Sequence, residues 1–435
     1  MNTIDPSVPG RFSRRGFLGL GAAVGGGMLL SACGGGSASG GGNLKFWDMP
    51  WGQANYTAAA KKLTEGYQPA DGLPGATYQG IQWANFSQTF SSAIASKTGP
   101  AVSTGGGFQA FQFAEQGAIA YADDVIDQFR QDGTADDFLP GQLDAMKTAK
   151  GYAAVPWQLD FRVWWYRKSL LDAAGVEVPT TWDELLNACR TLAGRGLFGF
   201  GTGAGAGNNL GSQGLHLMML NNGGGLFDPD GKVDVVTEAN LEAMRFVQEL
   251  VKAKAVDRAS ISYTTDNLIT QWKNKKVAMG IHTAGLDTDT GESDGDLQVM
   301  GPLTGPGGAK AGLVFQNNIM MYADTPSQKG SEAFLSYYIR NMKTLWQQNV
   351  VAGLPVLKSI VALPEFQAQK QKAKIIAEWA PVAKSFAANS KTLFGGLAAV
   401  DSSQPITQFA QTVLAGKDPR PALTTLQQAL EAIVK

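Results

Sequence analysis

"VPWQLDFRVWWYRKSLLDAAGVEVPTTWDELLNACRTLA", Val155 to Ala193, is the stretch on which the fold turns. Its opening run is rich in β-branched and aromatic residues and reads as a strand leading into a helix. Alternation sends Gln158, Asp160 and Arg162 to one side and Leu159, Phe161 and Val163 to the other. Such a strand borders a core on one face and a polar space on the other. Thr181, with Glu184 three residues on, has the form of a capping box and marks a second helix start. Leu185, Leu186, Cys189 and Leu192 then recur at helical spacing, so Cys189 is expected as a small core side chain.

Upstream, "NLKFWDM" reads as a strand, Tyr56 to Tyr67 as a helix, "ATYQGIQW" as a strand and "FSQTFSSAIAS" as a helix. Downstream, "KKVAMGI" and "GLVFQNNIMMYA" read as strands, and Ser331 to Asn341 opens a helix-rich final third. Strands alternating with helices imply an α/β fold with a mostly parallel sheet and ligand loops at strand ends. At 435 residues and 44% hydrophobic, the chain can bury a large core. Its 36 basic and 37 acidic residues leave a net charge of -1, so no nucleic-acid partner is expected. Two cysteines and two histidines exclude a disulfide framework and argue against a zinc cage. "GFGTGA" at Gly199 follows no convincing strand and has no acidic residue about 20 positions on, so no dinucleotide site is expected. No cofactor is expected either.

The N-terminus reads as an address. "SRRGFLGLGAAVGGGMLLSAC", Ser13 to Cys33, has an arginine pair, an apolar run and small residues before a cysteine. Its apolar part is too short and glycine-rich for a span, which needs about 20 apolar residues. Ser13 to Leu18 resembles the twin-arginine export motif, and Sec export stays open because Gly19 stands where lysine is usual. Leu30-Ser31-Ala32-Cys33 resembles the bacterial lipobox, which implies a lipid on Cys33 and an export signal over residues 1–32. Residues 33–43 then read as a lipidated Gly/Ser tether, the lipid being the only membrane attachment.

The opening stretch, together with "WKNKKVAMGI", "VVAGLPVLKSI" and "AGKDPRPALTTLQQALEAI" in that order, resembles the extracellular solute-binding lipoproteins, family 1, of carbohydrate-uptake ABC importers. The resemblance runs from about Asn43 to the C-terminus. It implies two α/β lobes joined by three crossings with the ligand cleft between them, placed near Trp157, His282 and Asn318. Lobe one is then 44–156 plus 283–317, and lobe two 157–282 plus 318–435. The implied partners are a sugar or oligosaccharide and the transmembrane subunits of an ABC importer. The implied location is the outer face of the cytoplasmic membrane, and the implied state a monomer.

A sugar presents apolar C–H faces and a ring of hydroxyls, so its site needs aromatic platforms and planar polar groups. On that basis Trp47, Asp48 and Trp51 after the first strand, Trp83 after the second, and Phe108 with Gln109 after "STGGG" are candidates. Trp157, Gln158, Asp160 and Arg162 are expected at a crossing, with Asn222 before "GGG" and Asn317 and Asn318 within a strand. Trp379 falls where the family often has a stacking aromatic. Relatives often carry Gly-Pro-Trp after "KKVAMGI", whereas "HTAGL" follows here, so His282 is the candidate contact in that loop.

The rival reading is a secreted glycoside hydrolase, which needs two opposed carboxylates. Asp48 and Asp160 are the one pair available to nominate, and nothing local poises either as an acid. "GESDG" at Gly291 matches a serine-hydrolase elbow but lies in an Asp-rich loop without a preceding apolar strand. The chain is therefore expected not to be an enzyme. A binding protein for a non-sugar polyol phosphate is a further alternative.

Overall fold

The computed structural model describes residues 42–83, 86–292, 294–401 and 403–434. The expected export signal over 1–32, Cys33 and the tether as far as residue 41 lie outside the described residues.

Strand β1, Leu44–Asp48, buries all but Lys45 and runs parallel to β2, Ala76–Gly80, and β3, Val102–Gly105. The helices Tyr56–Glu65 and Phe86–Ala95 make the intervening crossovers, as the alternating pattern required. After β4, Ile119–Ala120, comes β5, Val155–Arg167, thirteen residues long. Such a strand spans roughly 40 Å, more than one sheet layer uses. Two partners share it. At its start β5 pairs antiparallel with β8, Gly312–Tyr322, from Val155↔Ile319 to Arg162↔Leu313. At its end it pairs with β6, Met279–Thr283, and β7, Leu297–Val299. The sheet order is β2-β1-β3-β8-β5-β6, with β4 and β10, Ala383–Lys384, on β8 and β9, Leu354–Pro355, on β5.

These pairings redraw the expected division between lobes. Residues 283–317, assigned to the first lobe, include β7, which pairs with the far end of β5 beside β6. Conversely the helix Gln328–Asn341, assigned to the second, packs on Tyr56–Glu65 and on the helix Asp123–Gln131 of the first. The reason is direction. Because β8 is antiparallel to both β3 and β5, the chain enters β8 from the second half and leaves it in the first. The return to the second half comes later, where β10 meets the start of β8 and Gln404–Leu414 packs on Leu210–Asn221.

Helix Trp182–Ala193 starts at Thr181, whose side chain accepts from Glu184 N at 3.2 Å. The return arm misses Thr181, since the Glu184 carboxylate accepts from Thr180 N and Oγ1, both at 2.8 Å. A reciprocal box exists instead at Thr264 and Asn267. Cys189 is fully buried, and that burial pushes its thiol up to about 12, so it packs as a hydrocarbon would. Buried Arg167 holds the Asp-rich loop, donating to Glu292 at 2.5 Å and to Asp296 at 2.9 Å, which gives the "GESDG" loop a structural role.

Candidate ligand-binding cleft

Where β5 and β8 cross between the halves lies a cleft of about 770 Å³. Its floor follows from register. Gln158 pairs with Asn317 and Asp160 with Phe315, so these side chains stand together on one face. Gln158 packs against Gly353, where a Cβ would come within 1.7 Å of its Oε1. One wall is the glycine-rich turn before Gln109. Gly107 N donates to Asn317 Oδ1 at 3.0 Å, and Asn318 Nδ2 donates to Gly107 O at 3.0 Å. Two neighbouring asparagines thereby clamp the turn that presents Phe108 and Gln109.

An aromatic corner forms a second wall. Trp51 meets Trp83 edge-on at 4.6 Å and 89°, and Trp83 meets Phe86 at 5.4 Å and 79°. Both indoles are pinned, Trp51 Nε1 donating to Thr104 Oγ1 at 2.9 Å and Trp83 Nε1 to Pro50 O at 3.0 Å. Trp83 is 40% exposed, so a flat apolar face is held open to a ligand.

Charge is concentrated around Arg162. Its Nη1 donates to Asp160 Oδ1 at 2.7 Å and its Nε to Gln213 Oε1 at 2.5 Å, while the guanidinium lies 5.0 Å from the Phe315 ring centre. Gln213 Nε2 in turn donates to Asp401 Oδ1 at 3.3 Å. Four side chains from β5, the helix Leu210–Asn221 and the helix Gly396–Asp401 are thus linked.

Of the residues chosen from sequence, Trp51, Trp83, Phe108, Gln109, Gln158, Asp160, Arg162 and Asn317 line the cleft. The others do not. Trp47 is buried on the far side of its strand against Phe90. Asp48 is fully buried behind the aromatic corner, accepting from Thr104 Oγ1 at 2.7 Å, Tyr56 Oη at 3.0 Å and Tyr78 Oη at 3.2 Å. Burial pushes its carboxyl up to about 7. Trp157 packs among Trp51, Tyr56 and Trp346, since a bulge between Pro156 and Gln158 leaves it in the core. Asn222 caps a helix and donates to Ala239 O and Glu242. Asn318 sits behind Asn317. Trp379 is fully buried and donates to Met300 O at 2.8 Å. His282 is buried, its pKa pushed down to about 3 by burial and by the Arg162 charge, and its neighbour Thr283 faces the cleft instead.

Sequence reasoning missed Phe86, Gln213, Phe315 and Asp401 as lining residues. Phe315 was open to it, two residues before Asn317 on the same strand face. Gln213 and Asp401 gave no local signal. Among the described residues no group of His, Cys, Asp and Glu could hold a metal ion.

Residues 52–344 match the model for the bacterial extracellular solute-binding protein family. A sugar transporter from Arthrobacter chlorophenolicus A6, solved with bound laminaribiose, is 55% identical with a TM-score of 0.82, covering 90% of this chain and all of that one. Maltose-bound MalE3 of T. maritima shares the fold at 16% identity and a TM-score of 0.72, covering 90% of this chain and 99% of that one. A binding protein of Brucella abortus (strain 2308) is 22% identical over 308 residues, 70% of this chain and 73% of its own length.

Proposed function

Since this chain belongs to the bacterial extracellular solute-binding protein family, we propose that it captures a neutral gluco-oligosaccharide of the laminaribiose type and hands it to an ABC importer. Its fold is the two-lobed α/β fold of sugar-binding ABC solute receptors, and the relatives are binding proteins rather than enzymes. The observation that carries the ligand reading is the pairing, in one cleft, of a pinned aromatic corner with the Asp160–Arg162–Gln213–Asp401 network. Rings offer the C–H faces a platform, and planar polar groups meet the hydroxyls in pairs. A relative with 55% identity and bound laminaribiose supports a disaccharide of β-linked glucose as the unit recognised.

The rival readings are less well supported. A hydrolase would need Asp48 opposite Asp160, but Asp48 lies behind the wall. A polyol phosphate would meet a lining with one cation, Arg162, against Asp160, Asp289 and Asp401 among the described residues. The lipobox-like Leu30 to Cys33 supports attachment by a lipid on Cys33, with a monomeric body working outside the membrane. Thermal shift against a sugar panel tests the ligand reading, because a ligand at 100 times its Kd adds about 2.7 kcal/mol to the folded state. Laminaribiose should raise the melting temperature. No response to it or to other neutral glucodisaccharides would reject the reading.

A further inference from the structure

Arg162 is the one cation lining the cleft among the described residues, and it is already engaged by Asp160, Gln213 and the Phe315 face. Asp401 is in the opposite condition. Among the described residues its single side-chain hydrogen bond is the long one from Gln213, and it makes no ion pair. Burial raises its pKa against the opposing pull of the Gln213 hydrogen bond and the Arg162 charge. Nearby, Gln109 is only 6% exposed, yet among the described residues neither its amide nitrogen nor its amide oxygen has a partner. Buried polar groups left open on a cleft wall are completed by a ligand.

Asp401 is delivered by a segment whose seat is specific. Gly395 N donates to Glu115 Oε1 at 2.7 Å, and a Cβ there would come within 2.4 Å of Glu115 Oε2 and 2.9 Å of Gln112 Cα. Leu397 and Val400, fully buried, anchor the helix that follows. Ala398, Ala399 and Asp401 then face the cleft.

We propose that Asp401 is the specificity residue that restricts this cleft to neutral sugars, accepting ligand hydroxyls while its charge, held in no ion pair among the described residues, turns away uronates and phosphates. Gly395 acts as its positioning residue. The inference rests on the sugar-binding reading above. A neutral hydroxyl donates to the carboxylate and supplies the missing hydrogen bond. An anionic sugar donates less and brings a further negative charge to a lining whose cation is occupied.

The test is calorimetric titration of the purified protein, Asp401→Asn and Gly395→Val with two probes, laminaribiose and the same disaccharide oxidised at C6 to the uronic acid. The wild type should prefer laminaribiose by about a hundredfold or more. Asp401→Asn should bind laminaribiose about tenfold more weakly, in line with losing a charged hydrogen bond, and its preference should narrow at least tenfold. Gly395→Val should shift both quantities the same way without touching the ligand. Asp401→Glu, which keeps the charge, should still exclude the acid and serves as the reading if the Asn variant does not fold. Wild-type discrimination retained in Asp401→Asn, lost in Asp401→Glu, or absent in the wild type would overturn the role of Asp401. Wild-type binding of neither probe nor any neutral glucodisaccharide would overturn the sugar reading instead, and the two failures are distinct.

Discussion

Replacing Asp160 by Asn separates binding from scaffolding. Asp160 pairs with Arg162 at 2.7 Å, but its side chain is 35% exposed, so solvent screens the pair and its contribution to stability is at most about 1 kcal/mol. The Asn carbonyl can still accept from Arg162, and Gln213 continues to satisfy the guanidinium. The unliganded melting temperature should therefore fall by no more than about 3 °C. A sugar closes the cleft and removes that solvent. A hydrogen bond from a ligand hydroxyl to a charged carboxylate is then worth about 1.5 to 3 kcal/mol. Asp160→Asn should accordingly raise Kd by about 10- to 150-fold. Calorimetric titration and a melting curve on one preparation read both numbers. Wild-type affinity with a melting temperature lowered well beyond 3 °C would refute the reasoning, because Asp160 would then be a scaffold ion pair.

Other expected outcomes follow from separate parts of the chain. Gly353→Ala drives a methyl into Gln158, so affinity should fall at least several-fold, as titration would show; unchanged affinity would remove Gln158 from the site. The folded pKa of Asp48, about 7, lies above its ordinary 3.8, so the folded state holds the proton more tightly and stability should fall as pH rises from about 4 to about 7. Denaturant unfolding across that range should show a slope that Asp48→Asn reduces. Cys33→Ser should move the protein from the membrane fraction to the soluble one while sugar binding persists; equal membrane retention would reject lipidation. Prolonged incubation with laminaribiose should leave the disaccharide intact by chromatography, and turnover abolished by Asp160→Asn would revive the hydrolase.

What could be read in advance was what local periodicity controls. Alternation in "PWQLDFRV" put Gln158, Asp160 and Arg162 on the cleft face because a strand's side-chain direction is decided residue by residue. The same rule, applied without a register, could not tell that Trp47 faces the core while Trp51, in the following loop, faces the cleft. Gln213 lies on a helix buried on every side, so no amphipathic stripe singled it out. Asp401 reaches the cleft on a segment seated by contacts such as that between Gly395 and Glu115, 280 positions apart. Trp379 was chosen by analogy of position, but a π-helical turn, Ile375–Trp379, directs its indole into the core. The pairing of β7 with β5 and the packing of Gln328–Asn341 on Tyr56–Glu65 have the same origin, since a strand's direction relative to its partners is a pairing property that one segment does not encode.

Titration of the purified protein with laminaribiose, with small-angle scattering on the same sample, bears most directly on the claim that this cleft is a neutral-sugar receptor. The expected result is saturable one-to-one binding with Kd at or below about 1 μM, close to -8 kcal/mol, and a smaller radius of gyration in the complex as the lobes close. An absence of heat with laminaribiose and its longer homologues, and an unchanged radius at saturating sugar, would contradict it.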